Sequence, residues 1–434
     1  MSIASTISEK KTTPKALCNM QNQSDRLSNL PSHIVDGILS WLSIRDAVRT
    51  SILSSNWRYK WASLPNLIFD KDCCPFNDQA IAKSKLINII DQVLVLHTGI
   101  IQKFKLSHKD LQAVADIDRW ILYVSRSPVE DLVLEIWKGQ RYKMPSSLYS
   151  CKHLLHLELF NCLLNPPPVF KGFPNLRSLD LQHITMTEDT FKNLIAWCPS
   201  LERLTLMNFE GFFNLKINAP NLQFFDIGGD FEDVTFENTN MLSIISIGLY
   251  INVETEFNGR QNHPSNMLNF FACLPHIQRL EVQSYFLKYL AHGNVPSRLP
   301  VPCLDLYYLS IRINYYDIKE NKTAFCLFKS SPNLSELEML ARYEEESIAN
   351  TGTTFWEEKL QAECVFHQLR VVRIIDICAT KPELDFVKFL LANSPVLEKL
   401  TVKPNNADGG LELLKELVRY KRASVQAEVI YMDT

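Results

Sequence analysis

Cys151, His153 and His156 are spaced C-x-H-x-x-H, which puts three candidate metal donors close together. Zinc accepts such ligands but takes four of them in a tetrahedron. No fourth ligand stands at a matching spacing, and Cys151 and His153 fall ahead of the segment that alternates as a strand. No metal or other cofactor is expected. A cysteine acting as a nucleophile needs a neighbouring base or positive charge to become a thiolate. Cys198 precedes Pro199 and Cys326 lies on an apolar helical face, so both read as core. G-x-x-x-x-G-K, H-E-x-x-H and G-x-S-x-G are absent, and Gly228-Gly229-Asp230 reads as a turn. No catalytic residue is assigned, and a non-catalytic protein is expected.

Binding is then the chemistry to look for, and composition limits its kind. The 434 residues are 46% hydrophobic and 21% charged, with a formal net charge of -3. There is no basic excess of the sort that phosphate contacts need, so no nucleic-acid partner is expected. Thirteen glycines are few for phosphate-cradling loops. The eleven cysteines include no C-x-x-C pair, and Cys73-Cys74 is the one close pair. Residues 1–24 are mostly Ser, Thr, Lys, Asn and Gln and read as a disordered tail without a secretory apolar stretch. No apolar run approaches the roughly 18 residues of a membrane helix. A reducing cytoplasmic or nuclear setting, with no membrane, fits these features. The N-x-S/T matches at Asn22, Asn321 and Asn333 then read as chance.

Segment 25–70 reads as three short helices. Leu30, Ile34, Val35, Ile38, Leu39, Trp41 and Leu42 are apolar after Pro31, and at 100° per residue they cover about half a helix circumference. Ser43 with Asp46 resembles a capping box opening a second helix, whose apolar face is Ile44, Ala47, Val48, Ile52 and Leu53. Asn56 to Leu64 reads as a third, carrying Trp57 and Trp61. Each fully buried large side chain contributes roughly 1.5–3 kcal/mol, yet so small a unit covers little of its own surface. Part of the first helix must therefore be covered by the rest of the chain or by a partner. Five bases against four acids leave the segment at +1, with no basic recognition helix for DNA.

The spacing of Leu30-Pro31, Ile34-Val35, Ile38-Leu39, Arg45-Asp46-Ala47-Val48 and Leu53-Ser54-x-x-Trp57-Arg58-x-x-Trp61 closely resembles a plant F-box. The resemblance implies docking to a Skp-type adaptor and, through it, to a cullin. It places Leu30, Pro31, Ile34, Val35, Ile38 and Leu42 against the adaptor. Ser32 and His33 stand where that family often carries acidic residues.

The rest of the chain repeats. L-x-x-L-x-L, with apolar substitutes, starts at Ile101, Val129, Leu154, Leu176, Leu201, Leu222, Leu242, Ile277, Leu306, Leu334, Leu369 and Leu397, with a degenerate unit at Leu64. Pro174, Pro199, Pro220, Pro275, Pro332 and Pro395 each stand two residues ahead of a first apolar position, several after a helical pattern. Proline ends the helix and the chain turns into a strand. Such units cannot bury their own apolar faces and stack instead. The expected fold is α/β: a short three-helix F-box followed by a curved leucine-rich-repeat solenoid, strands concave and helices convex. CVFHQLRVVRI from Cys364, PELDFVKFLLANSPVLEKLTV from Pro382 and LLKELVRYKRASVQAEVIY from Leu413 resemble the FBD segment of plant F-box/leucine-rich-repeat proteins. The expected divisions are 25–70 F-box, 71–354 solenoid, and 355–434 FBD-like repeats with a closing cap.

Side chains alternate along a strand, so the third, fifth and seventh template positions face the concave side. That face mixes charges of both signs with aromatics, which suits a protein target. His156, Phe160, Arg203, Met207, Phe224, Arg279, Tyr308 and Arg312 are its favoured contacts, since aromatics and Arg dominate interface hot spots. The expected function, carried by the resemblance, is the target-recognition subunit of a Skp–cullin–F-box ubiquitin ligase. A repeat scaffold outside ubiquitination, or a sensor whose small ligand glues a target to the concave face, are the alternatives.

Overall fold

The computed structural model describes residues 30–73, 79–252, 265–344, 355–360, 365–405 and 410–432, with the side chains of 79–83 and 410–413 excepted. The tail 1–24, residues 25–29, most of the insertions 251–266 and 342–354 (Glu345 and Glu346 with them), and Cys18, Asn22, Cys74 and Cys364 lie outside the described residues.

Each repeat match becomes one parallel strand. In chain order the strands are β1 (Asn66–Phe69), β2 (Lys103–Leu106), β3 (Asp131–Glu135), β4 (Tyr142–Lys143), β5 (His156–Phe160), β6 (Cys162–Leu163), β7 (Ser178–Gln182), β8 (Arg203–Met207) and β9 (Asn214–Asn218). Then follow β10 (Phe224–Gly229), β11 (Asp233–Glu237), β12 (Ile244–Leu249), β13 (Arg279–Ser284), β14 (Tyr308–Ile313), β15 (Glu336–Ala341), β16 (Val371–Ile377), β17 (Lys399–Pro404) and β18 (Glu428–Tyr431). Fourteen of them form one sheet in chain order, while β4 pairs with β6 and β9 with β11. The degenerate match at Leu64 supplies β1. The template leucines point into the core: Leu201, Leu204 and Leu206 are fully buried, as are their counterparts in neighbouring units.

Two sequence features set the shape of each unit. The eighth template position adopts positive φ at Asn161, His183, Asn208, Ser284 and Asp376, which turns the chain off the strand. The residue between Pro and Leu ties one unit to the one before it. The Asn175 amide donates to the Lys152 carbonyl at 3.2 Å, Asn221 to Pro199 at 2.8 Å and Asn333 to Leu304 at 2.8 Å. The Ser200 hydroxyl likewise donates to the Pro174 carbonyl at 2.9 Å.

Helices fill the back layer where the units are long, among them α3 (Gln79–Leu96), α4 (Asp116–Val124), α5 (Glu188–Ala196), and the helices Ile318–Ser330 and Lys381–Asn393. The short units beginning at Leu201 and Leu222 carry β9 and β11 there instead, because too few residues separate successive strands for a helix and two turns. Helix α5 packs on β9, and the helix Asn266–Phe271 packs on β11, so the stack continues through the change of element. Aromatic rings interlock along this layer, including Phe191 on Phe212 at 4.7 Å and Phe236 on Phe270 at 5.7 Å between centroids.

The F-box segment forms α1 (Ser32–Ser40) and α2 (Ile44–Arg49), followed by 3₁₀ turns at Thr50–Ile52 and Lys60–Ser63. The third helix read from Asn56 to Leu64 is thus only a short turn. Ser54, Ser55 and Asn56 favour local backbone bonding over helix, and too few residues remain to propagate one. Ser43 caps α2 by accepting from the Asp46 amide at 3.2 Å. Trp57, Trp61, Leu64 and Leu67 are buried in the same continuous core as the repeats. Through β1, which pairs with β2, the segment is fixed to the first strand of the solenoid.

The C-terminal repeats extend the same sheet. Trp356 is buried among Phe386, Phe389 and Phe328, and its indole N–H donates to Asn321 at 2.9 Å. Thr380 and Glu383 form a capping box at Lys381–Asn393. The helix Gly410–Arg419 and the edge strand β18 end the stack. Of the remaining loop, 292–302, Arg298 Nε donates to the Lys329 carbonyl at 2.9 Å and Leu299 is buried.

Buried ionisable groups cluster at the C-terminal ends of β13 to β15. Glu320 has no exposed surface, pairs with Arg342, and accepts the Asn314 amide at 2.9 Å. Arg342 also lies over the Tyr285 ring at 4.3 Å, and Lys288 pairs with Glu344 at 3.2 Å. Burial pushes the Glu320 carboxyl up to about 7 from an ordinary 4.5, against the pull of Arg342.

Two expectations follow from these contacts. The triple change Asn175→Ala, Asn221→Ala and Asn333→Ala should cost about 1 kcal/mol per site, nearly additively since the sites lie in separate units, read from urea unfolding midpoints. Between pH 4.5 and 7 folded Glu320 retains a proton that the unfolded chain has released, so its contribution to stability falls as pH rises through that window. Glu320→Gln should flatten that part of the melting-temperature profile, and an identical slope in the variant would remove Glu320 as its source.

Candidate functional site

Among the described residues, two surfaces bear on the roles the sequence suggested. The first is the outer side of the F-box. Helix α1 packs on the turn Lys60–Ser63 through its inner face, where Val35 is 4% exposed and Leu39 is buried. Val35, grouped with the adaptor-facing positions on resemblance, therefore lies inside the chain's own core. Leu30 is half-buried, while Pro31, Ile34, Ile38 and Leu42 are exposed together. The Pro31 carbonyl accepts the Ile34 and Val35 amides at 3.0 and 3.2 Å and so starts the helix.

Three further apolar residues of the head are exposed. Trp41 is 90% exposed at the C-terminus of α1, and Ile52, read as part of the apolar face of the second helix, is 87% exposed. Leu53 is exposed beside it. The α-helix ends at Arg49, and the 3₁₀ turn that follows changes the angular period and swings Ile52 out of the inner face. The Thr50-Ser51 pair was the signal for that ending. A cleft of about 240 Å³ lies nearby between α2 and α3, lined by Ile44, Val48, Trp61 and Val93 with Arg45 and Arg49.

The second surface is the concave sheet. Strand register sets Glu158, Asp180, Thr205, Asp226, Ser246, Glu281, Ser310 and Glu338 side by side along its central row. His156 holds the Glu158 carboxyl below its ordinary value through a hydrogen bond, opposing burial. Asp180 and Asp226 are raised by burial, each with a further push from neighbouring carboxylates. Neither is part of an ion pair among the described residues, whereas Glu281 is held by Arg279 at 2.7 Å.

The favoured contacts divide on this surface. Arg203 is exposed with its guanidinium 4.0 Å over the Phe224 ring, and Arg279 lies 3.6 Å over Tyr308. Tyr308 is only 6% exposed, being roofed by Arg279. Met207 is half-buried beside them, and Arg312 is half-buried with its Nε lacking a hydrogen-bond partner. Phe160 stacks on Trp137 at 4.5 Å and meets His183 edge-on at 4.9 Å. Trp137 stands in the loop after β3, two residues past the template, and strand alternation alone could not place it on this face.

The cysteines and histidines of the metal and nucleophile readings do not converge. Cys151 is buried, His153 is exposed, and His156 pairs with Glu158 at 3.7 Å. Among the described residues no group of three or more His, Cys, Asp or Glu is placed to hold a metal. Burial pushes Cys151 up to about 12, and Cys198 and Cys326 each up to about 11, so all three remain thiols near neutral pH. No helix among the described residues is long and apolar enough to cross a membrane.

A helical head with an open apolar face, fused to a parallel repeat sheet, defines an F-box protein of the leucine-rich-repeat class. Comparison with known proteins agrees at three places. The F-box domain profile matches residues 27–69, the leucine-rich repeats of the FBD-associated F-box protein At5g56370 match 117–339, and the FBD profile matches 361–402. The F-box/FBD/LRR-repeat protein At1g13570 of Arabidopsis thaliana is 38% identical over 425 residues, which is 95% of this chain and 100% of that protein. Two further Arabidopsis thaliana proteins are similar over most of their length. The FBD-associated F-box protein At5g22730 is 25% identical, covering 94% of each chain, and the F-box/FBD/LRR-repeat protein At5g53840 is 27% identical, covering 88% of each. The chain belongs to the plant F-box/FBD/LRR-repeat family.

Since Trp41 and Ile52 face solvent, their joint replacement by Ser should leave the melting temperature within about 2 °C while lowering binding of an apolar dye and self-association in sedimentation. A large loss of stability instead would place both side chains in the core.

Proposed function

We propose that this chain is the target-recognition subunit of a Skp–cullin–F-box ubiquitin ligase. The observation that carries the reading is the open face of α1, on which Ile34 and Ile38 are exposed, followed directly by exposed Trp41 and Leu42, although the inner face of the same helix is closed by its own chain. A Skp-type adaptor covers that face, and the cullin is reached through the adaptor. The FBD-containing relatives support this reading by their F-box names. Leu30, Pro31, Ile34, Ile38 and Leu42 are the adaptor contacts, and Trp41 joins them. Val35 supports the helix from beneath.

The solenoid holds the target. Its contacts are His156, Phe160, Arg203, Met207, Phe224, Arg279 and Arg312, with Tyr308 acting as the platform under Arg279. The chain performs no covalent step in this role. Holding a target and a ubiquitin-loaded enzyme on one scaffold turns a bimolecular encounter into a local one, which raises effective concentration. That gain needs a well-fixed spacing between the two surfaces, and the β1–β2 pairing that joins the F-box to the sheet supports it.

The test separates contact from fold. Ile38→Asp should abolish capture of a purified Skp-type adaptor, at least a hundredfold in affinity, with an unchanged melting temperature. Val35→Asp should instead unfold the head, because it buries a carboxylate. Undiminished capture by Ile38→Asp would end the adaptor reading and favour a repeat scaffold outside ubiquitination.

A further inference from the structure

The concave sheet carries an arrangement that selects a partner by charge and shape together. At its N-terminal half, Trp137, Phe160 and His183 form a continuous ledge of rings, with Trp137 49% exposed. The ledge runs beside Glu158 and Asp180, because Phe160 follows Glu158 by two residues on β5 and His183 directly follows β7. Asp226 lies two strands further along the same row, which puts its Cα roughly 10 Å from that of Asp180, with Thr205 between. A guanidinium or ammonium group seated above Thr205 would reach both carboxylates.

From this geometry we infer that the unpartnered concave face takes a basic, arginine-bearing segment of a protein target. The inference rests on the target-recognition reading above and deepens it. Three observations point to this occupant. First, Asp180 and Asp226 accept hydrogen bonds from Gln182 and Ser246 but neither is in an ion pair among the described residues, with His156 acting on Asp180 only at longer range, while Glu281 pairs with Arg279 and Glu338 with Arg373. A cationic partner supplies the missing charge where burial has already weakened hydration. Second, the rings beside Glu158 and Asp180 include the half-exposed indole of Trp137, a surface of the kind on which a guanidinium stacks. The sheet shows the same contact internally, where Arg203 covers Phe224 and Arg279 covers Tyr308. Third, a phosphate-bearing or acidic partner would meet Glu158, Asp180 and Asp226 in line and be repelled.

The test uses the full chain and labelled nona-arginine as the probe, followed by fluorescence anisotropy at rising salt. Nona-arginine should bind with an affinity that falls with salt, and nona-glutamate should not bind. Asp180→Asn with Asp226→Asn, which keeps side-chain shape, should weaken nona-arginine at least tenfold. Trp137→Ala should weaken it roughly two- to fivefold, as expected for loss of an exposed cation–π contact. A control pair on the exposed first turn of α5, Glu188→Gln with Asp189→Asn, should change it less than twofold. Equal weakening by the two pairs, or none by the concave pair, overturns the inference. Adaptor capture by each variant is measured in parallel. Retained capture with no peptide binding sinks this inference alone, whereas peptide binding without adaptor capture leaves it standing and removes the ligase reading.

Discussion

Lateral stacking of strands that cannot bury themselves is the constraint on which the molecule depends. A five-residue strand such as β8 exposes one face and hides leucines on the other only if a neighbour lies on each side. Repetition solves this by making every unit the neighbour of the next. The side chains that follow proline reinforce the solution, since Asn175, Ser200, Asn221 and Asn333 bridge backward to the preceding unit. Such bonds are individually small, but they repeat in register with the hydrophobic pattern, so local and long-range preferences agree.

The same constraint explains why the two ends are not separate beads. The F-box contributes β1 to the sheet and its tryptophans to the common core. The FBD region contributes β16 and β17, and its aromatic residues close on the helix Ile318–Ser330. An apolar head face and a polar concave face are thus held on one framework. A partner on the first surface and a partner on the second are positioned relative to each other by sheet geometry instead of by a linker.

Charge is used differently at two places on the sheet. At the C-terminal ends of β13 to β15, Glu320, Arg342, Lys288 and Glu344 pair with one another, and burial of Glu320 still outweighs the pull of Arg342. Breaking one member would strand another in a dry site. On the concave side, Asp180 and Asp226 are partly dehydrated without a matching cation among the described residues. The first arrangement fixes structure, and the second leaves electrostatic attraction available to something outside the chain.

How far this was legible from residues alone depends on the range of the interaction. The strands were readable because their signal is local: a leucine period of two and three, and a proline two residues ahead of it, act within a few residues. The open face of α1 was readable for the same reason, since more of its circumference is apolar than a small head can cover. Sequence did not reveal which apolar residues the head would keep for itself. Val35 was turned inward by the packing of α1 on the turn Lys60–Ser63, and Ile52 outward by where α2 stopped and a 3₁₀ turn began, a matter of a few tenths of a residue per turn. Nor could alternation place Trp137 against Phe160, or show that Tyr308 lies beneath Arg279, because those contacts join side chains from different units. Periodicity within a unit fixed the order of strands and their inward leucines; packing between units decided which side chains were left to meet a partner, because exposure is a property of neighbours and not of the residue itself.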